Sequence, residues 1–178
     1  FDTIDFGSFV SPKLIPQLKD TSEVLDGLDL GGSSTRLLAI IANIRGAIDA
    51  INFQQIDCLG FPLSVSEEFQ QRNTNRSVDQ ALNTVEEIQN LSIKNNKQLV
   101  VYLSMAFGNP YKEIYHPDIV LRIIEKLESI QVGVVALSDT IGASNPKNIS
   151  SLFSTLIFEY PSIEFGAHFH TTKDSCIL

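Results

Sequence analysis

With 178 residues, 43% of them hydrophobic and 19% charged, the chain has the length and composition of one domain with a sizeable core. Its formal net charge of −8, with no cluster of Lys or Arg, argues against a nucleic-acid or anionic-membrane surface, because the Coulomb term opposes both. No apolar run is long enough for a membrane-spanning helix, and Cys58 and Cys176 fit no zinc or disulfide spacing, so free thiols in a reducing cytoplasm are expected.

The opening FDTIDFGSF has no basic segment and no Met, and reads as the middle of a strand. The expectation is a chain that begins inside a larger domain. The first predicted strand is Thr3–Ser8, followed by helical character over roughly Ser11–Gly27. DLGGSS (Asp29–Ser34) is glycine-rich, but it leads into the strand Arg36–Ala42 instead of opening a helix, so it fails as a dinucleotide-binding turn. A helix over Arg45–Ile51, a strand over Ile56–Phe61 and a short helical turn around Ser66–Gln71 follow. Ser77 and Gln80 have the spacing of a capping box, ahead of a buried stripe of Val78, Ala81, Leu82, Val85 and Ile88.

The strand Lys97–Ser104 runs toward FGNPY (Phe107–Tyr111), a turn by composition. Pro117 suits the first turn of a helix whose apolar stripe is Ile119, Val120, Ile123, Ile124, Leu127 and Ile130, with Asp118 and Arg122 spaced to pair. The strand Val132–Asp139 comes next, then a helix capped by Asn145 with Pro146 in its first turn, and finally the strand Ile163–His170.

Such alternation makes successive strands parallel, each joined by a right-handed crossover. A doubly wound sheet and a (β/α)8 barrel both satisfy it. The barrel requires reactive residues at the C-terminal ends of strands, which is where DFGSF, IANIRG, LSMAFGNPY, LSDT and HFH fall. A whole barrel takes about 250 residues. The expectation is therefore a single domain over 1–178, an incomplete (β/α)8 TIM barrel of about six β/α units lacking the first and last strands.

His168 and His170 are two of only three histidines, and strand alternation puts them on one face with Glu164 and Gly166. Ile163, Phe165, Ala167 and Phe169 form the opposite, apolar face. At about 6–7 Å apart both imidazoles can reach one divalent ion, or they are a satisfied interior pair. Asp139 can orient a substrate hydroxyl or support a histidine, or it can hold loop amides; Thr140 follows it. Asp5 is a carboxylate ligand, an acid/base group or a polar interior residue. Asn43 hydrogen-bonds a substrate or caps the next helix. His116, beside Pro117, reads as surface.

SFVSPKLIPQLKDTSEVL (Ser8–Leu25), ANIRG (Ala42–Gly46), FQQRNTNRS (Phe69–Ser77), FGNPY, LSDTIG and HFH occur in an order that resembles the 3-hydroxy-3-methylglutaryl-CoA lyase family. The likeness covers essentially the whole chain, and SFVSPK and SDTIG are its most specific parts. It implies a barrel using Mg²⁺ or Mn²⁺ to cleave an acyl-CoA substrate, 3-hydroxy-3-methylglutaryl-CoA, into acetyl-CoA and acetoacetate by a retro-Claisen step. It further implies His168 and His170 as metal ligands, Asp139 and Thr140 as an active-site pair, and Ser8 and Asn43 as substrate-binding residues. Asp5 stands where the family usually has Glu, Asn109 where some relatives have Cys, and Thr171 where Asp is common.

An Arg-Asp pair on a preceding strand, a ligating Asn on a later one and a loop Cys belong to the family but not to these residues. Cys176 follows the histidines too closely to be that Cys. Taken alone, the chain is expected to bind metal weakly, to lack turnover and to fold poorly; either flanking residues complete it or self-association, a homodimer being one form, stabilises it. A condensing synthase of the isopropylmalate or homocitrate kind and a non-catalytic barrel are the alternatives.

Overall fold

A computed structural model describes residues 1–170; Thr171 and Cys176 lie outside the described residues. In chain order the elements are β1 (Thr3–Ser8), a 3₁₀ turn (Pro16–Leu18), α1 (Thr21–Gly27), β2 (Arg36–Ile40), α2 (Ile44–Ile51), β3 (Ile56–Ser64), α3 (Glu67–Thr74), α4 (Val78–Lys94), β4 (Gln98–Ser104), α5 (Pro117–Ser129), β5 (Val134–Asp139), α6 (Pro146–Glu159) and β6 (Glu164–Phe169). Two compact units divide the chain within β3, α4 and β4: Phe1–Phe61 with Thr84–Leu99, and Pro62–Asn83 with the described residues from Val100.

In the first unit β1 pairs with β2, and β2 with β3, all parallel and in chain order. Leu25, Ile41, Ala47, Ala50, Ile56, Leu59, Phe61, Val85 and Ile88 are fully buried and form its core. The helix expected over Ser11–Gly27 is confined to Thr21–Gly27, after the separate turn at Pro16. Pro12 and Pro16 supply no N–H and push their preceding residues out of helical backbone, so helix cannot propagate through them. DLGGSS is a turn ahead of β2, with Asp29 Oδ1 accepting the Gly31 N–H at 2.9 Å and Gly32 at φ 78°.

Two glycines set close approaches. A Cβ on Gly7 would lie 2.7 Å from Thr21 Cγ2, and one on Gly46 would lie 2.6 Å from the Phe9 carbonyl oxygen. The first turn of α2 is thus seated directly on the backbone that leaves β1. At the other end of the strands Lys97 Nζ donates to the carbonyls of Phe53 (3.2 Å) and Ile56 (2.5 Å), while Arg36 joins Asp2 (2.7 Å) and Gln98 (2.6 Å). Cys58 is buried beside this network, and burial pushes its thiol pKa up, partly opposed by the Arg36 charge.

In the second unit β4 pairs with β5, and β5 with β6, again parallel and in chain order. β5 is buried on both faces along most of its length, as a central parallel strand must be. Side chains close the helix starts. Ser77 and Gln80 form the expected capping box of α4 (Gln80 N to Ser77 Oγ 3.1 Å; Ser77 N to Gln80 Oε1 3.0 Å). Asn145 and Asn148 form another on α6. α5 buries Val120, Ile123, Ile124 and Leu127 as its stripe requires.

The Asp118–Arg122 side-chain pair does not form. The Asp118 carboxylate turns back to His116 Nδ1 (3.1 Å), and Arg122 Nε donates to the Asp118 carbonyl at 3.3 Å. His116, exposed as expected, is the N-cap of α5: a bare Nδ1 accepts the Asp118 N–H (3.3 Å), whereas a protonated one pairs instead with the carboxylate.

Gly46→Ala forces a methyl into the Phe9 carbonyl, and backbone cannot step aside as a side chain can. A loss of about 1–3 kcal/mol is expected from urea unfolding. For Cys58 the folded state keeps a proton that the unfolded chain releases first. Its contribution to stability is therefore intact below the ordinary thiol pKa, about 8.5, and is lost as pH rises. In a Cys176→Ser background, Cys58→Ala should flatten the alkaline fall of the unfolding free energy, whatever its effect on the level at neutral pH.

Candidate functional site

Ser8 and Asn43 stand at the C-terminal ends of β1 and β2 and line one cavity of about 290 Å³ in the first unit, with Phe9, Ser11, Lys19 and Arg45 also on its wall. Ser8 is buried, and its hydroxyl oxygen accepts the Val10 N–H at 3.1 Å. The Ser8 N–H donates to Thr21 Oγ1 (3.2 Å), whose own proton goes to the Leu18 carbonyl (2.9 Å). This chain of bonds folds the SFVSPK segment back over the end of β1. Asn43 is the N-cap of α2, accepting the Gly46 N–H at 2.9 Å. The capping role that the sequence held open is therefore in use, and the residue is still at the cavity wall. Asp5 is exposed on β1, just before a bulge: Asp5 pairs with Leu38 and Gly7 with Ala39, leaving Phe6 as the extra residue.

The second unit brings four candidates together. β5 and β6 are in register from Val134↔Glu164 to Asp139↔Phe169, so Ser138 pairs with His168, Asp139 pairs with Phe169 on the other face, and Thr140 follows beside His170 at the C-terminal ends of adjacent strands. The imidazoles of His168 and His170 are exposed, with ring centroids 5.3 Å apart. They share a face, as strand alternation requires. His170 Nδ1 lies 3.0 Å from the Thr140 carbonyl oxygen, and Thr140 Oγ1 accepts the Met105 N–H at 2.9 Å. Asp139 is 3% exposed. Its two carboxylate oxygens accept the N–H groups of Ala143 (2.8 Å) and Ser144 (2.9 Å), the loop-holding arrangement that the sequence left open.

Two neighbours escape sequence reasoning. Tyr102 on β4 packs edge-on to His168 at 5.7 Å. It belongs to the row Tyr102–Ala136–Gly166, whose small members leave room for its ring. The signal was present as a lone tyrosine within the apolar QLVVYLS. Glu113 gave no signal: its carboxylate takes the Ser66 hydroxyl and the Glu68 N–H (3.0 Å), closing the start of α3 from a loop far along the chain. Asn109 folds that loop, its Oδ1 accepting from Tyr111 (3.0 Å) and Glu113 (3.2 Å).

Among the described residues no group of three or more His, Cys, Asp and Glu side chains is placed to hold a metal ion. The two imidazoles supply two nitrogen donors on one face. No helix of the described residues is long and apolar enough to cross a membrane.

Parallel strands in chain order, with polar residues gathered at their C-terminal ends, define a (β/α)8 barrel protein, of which the described residues carry six strands. Residues 31–176 match the HMGL-like family, and the chain belongs to it. Hydroxymethylglutaryl-CoA lyase YngG of Bacillus subtilis is 32% identical over 174 residues, covering 98% of this chain and 58% of that protein. The crystal structure of a Bacillus subtilis HMG-CoA lyase superposes with a TM-score of 0.88 at 31% identity, over 96% of this chain and 56% of that one. An HMG-CoA lyase from Acinetobacter baumannii, solved with coenzyme A and 3-methylmalate, gives 0.87 at 27% identity, over 97% and 56%. This chain thus spans a little over half the length of the relatives it matches.

The capping role of Asn43 rests on its side-chain acceptor oxygen. Asn43→Ala should cost about 1 kcal/mol in urea unfolding, whereas Asn43→Asp should retain most of it, because a carboxylate accepts the same N–H.

Proposed function

We propose that the chain is the catalytic-barrel part of a divalent-metal-dependent carbon–carbon lyase that cleaves 3-hydroxy-3-methylglutaryl-CoA to acetyl-CoA and acetoacetate. The observation that carries the proposal is the adjacency of His168 and His170 at the end of β6, with the Asp139–Thr140 pair at the end of β5. Membership of the HMGL-like family and relatives named as lyases support it. The neighbour solved with coenzyme A supports an acyl-CoA substrate.

The donor set suits a divalent cation such as Mg²⁺ or Mn²⁺, with the imidazoles of His168 and His170 as two of its ligands. When bound, the cation supplies Lewis acidity and a template for the hydroxyl and carboxylate oxygens of the substrate. Two imidazoles do not by themselves complete a cation's coordination shell, so the activity is proposed for the full-length protein, of whose barrel this chain forms a part.

The chain's own residues divide the other tasks. Retro-Claisen cleavage needs a proton taken from the tertiary hydroxyl and a proton given to the acetyl-CoA enolate carbon. Asp139 at the end of β5 and Asp5 on β1 are each a candidate for one of these transfers, and Thr140 stands next to Asp139. Asp139, held by the Ala143 and Ser144 amides, presents a carboxylate whose orientation is already set. Ser8 and Asn43, on the wall of the cavity, bind substrate. A cytoplasmic location and a homodimer complete the reading. A condensing synthase on the same barrel is the second reading; the SFVSPK segment at Ser8–Lys13 favours the lyase.

Full-length protein incubated with Mg²⁺ and 3-hydroxy-3-methylglutaryl-CoA should release acetoacetate. His168→Ala and His170→Ala should each lower kcat by more than about 100-fold, the upper range for losing a group that merely supports a ligand. No acetoacetate, together with condensation of acetyl-CoA and a 2-oxoacid, would reverse the assignment.

A further inference from the structure

We propose that Thr140 is a positioning residue that fixes the tautomer and orientation of His170, acting as the middle of a strap that runs from Met105 through Thr140 to His170. The proposal rests on the reading of His168 and His170 as metal ligands and assigns a cause to the geometry of one of them.

A carbonyl oxygen accepts hydrogen bonds and never donates them. His170 Nδ1 lies 3.0 Å from the Thr140 carbonyl oxygen, so the proton of that bond is on Nδ1. In the neutral ring the lone pair is then on Nε2. A ligating histidine whose other nitrogen donates to a carbonyl has its tautomer and ring angle set in this way, and its basicity raised.

Residue 140 is held from two sides. The His170 N–H reaches the Asp139 carbonyl at 3.4 Å, extending the β5–β6 ladder one step past both strands. The Thr140 side chain is held separately, Oγ1 accepting the Met105 N–H at 2.9 Å. Met105 is a firm anchor. It is 2% exposed, with a left-handed φ of 60°. Its turn is closed by Gly108 N–H to the Met105 carbonyl (3.2 Å), Ala106 N–H to the Ser138 carbonyl (3.2 Å) and the Tyr115 hydroxyl to the Ala106 carbonyl (2.6 Å). The threonine hydroxyl thereby couples the end of β4 to the peptide group that faces His170. Removing the hydroxyl leaves a buried N–H without an acceptor and frees the 140 peptide to turn, taking the carbonyl away from Nδ1.

Thr140→Val is nearly isosteric and lacks the acceptor; Thr140→Ser keeps it. In full-length, metal-free protein at alkaline pH, long-range ¹H–¹⁵N correlation spectra of the histidine rings report the tautomer, with His170 assigned by substitution. Wild type and Thr140→Ser should show the Nδ1–H form at His170, and Thr140→Val a shift toward Nε2–H. Titration with Mn²⁺ alone, followed by electron paramagnetic resonance, should give a dissociation constant about 10–100-fold higher for Thr140→Val and close to wild type for Thr140→Ser.

An Nε2–H tautomer in wild type, or Thr140→Val with unchanged tautomer and unchanged Mn²⁺ affinity, would overturn the strap. If Thr140→Val does not fold, the wild-type and Thr140→Ser spectra still decide. Failure of the metal reading is distinguishable: His168→Ala and His170→Ala would then leave Mn²⁺ affinity intact, while the metal-free spectra would still report on the strap.

Discussion

Parallel pairing is the constraint from which the other features follow. A parallel ladder cannot be closed by a tight hairpin, so every strand must be followed by a crossover that returns the chain to the same starting edge. The helices are those crossovers, and their apolar stripes cover the sheet. The strand ends then all deliver their next residues in one direction. In the first unit this places Ser8 and Asn43 on one cavity wall. In the second it places Asp139 and Thr140 beside His168 and His170. Register brings these strand ends alongside one another, and side-chain hydrogen bonds then hold the loops that leave them.

Much of this was legible in the sequence because it depends on short-range periodicity. The six strands and the cap-bearing helices could be read from apolar runs, proline positions and Ser/Asn spacing. The shared face of His168 and His170 followed from alternation. Boundaries were less legible. β3 was expected to stop at Phe61, before a proline, yet it runs through Pro62 to Ser64, as a strand can where the ladder does not require that N–H. Asn43 and Asp139 remained ambiguous because the side chains that bind ligands well also satisfy backbone amides well. Only loop geometry shows the amides being held. Glu113 was invisible because its partners at Ser66 and Glu68 lie more than forty residues away.

The loops at the strand ends share one device. Side-chain oxygens stand in for missing backbone acceptors: Asp139 for Ala143 and Ser144, Asn109 for Tyr111 and Glu113, Asn43 for Gly46, Ser8 for Val10. A loop built this way keeps its shape without a core of its own, since each bond replaces water at an otherwise orphaned N–H. Polar residues at these strand ends therefore serve the architecture first, and any ligand they meet is left the lone pairs that remain.

The capping boxes of α4 and α6 close over four consecutive residues each, Ser77–Gln80 and Asn145–Asn148. Both start signals can form while the chain is still open, because they ask for no distant partner and little loop closure. The strand ladders, by contrast, must wait for segments far apart along the chain to meet, as Ile40 and Gly60 do. The order of events during folding is thereby biased toward helices that know where to begin before the sheet exists, and the amides at those two helix starts would be the earliest to gain protection from exchange.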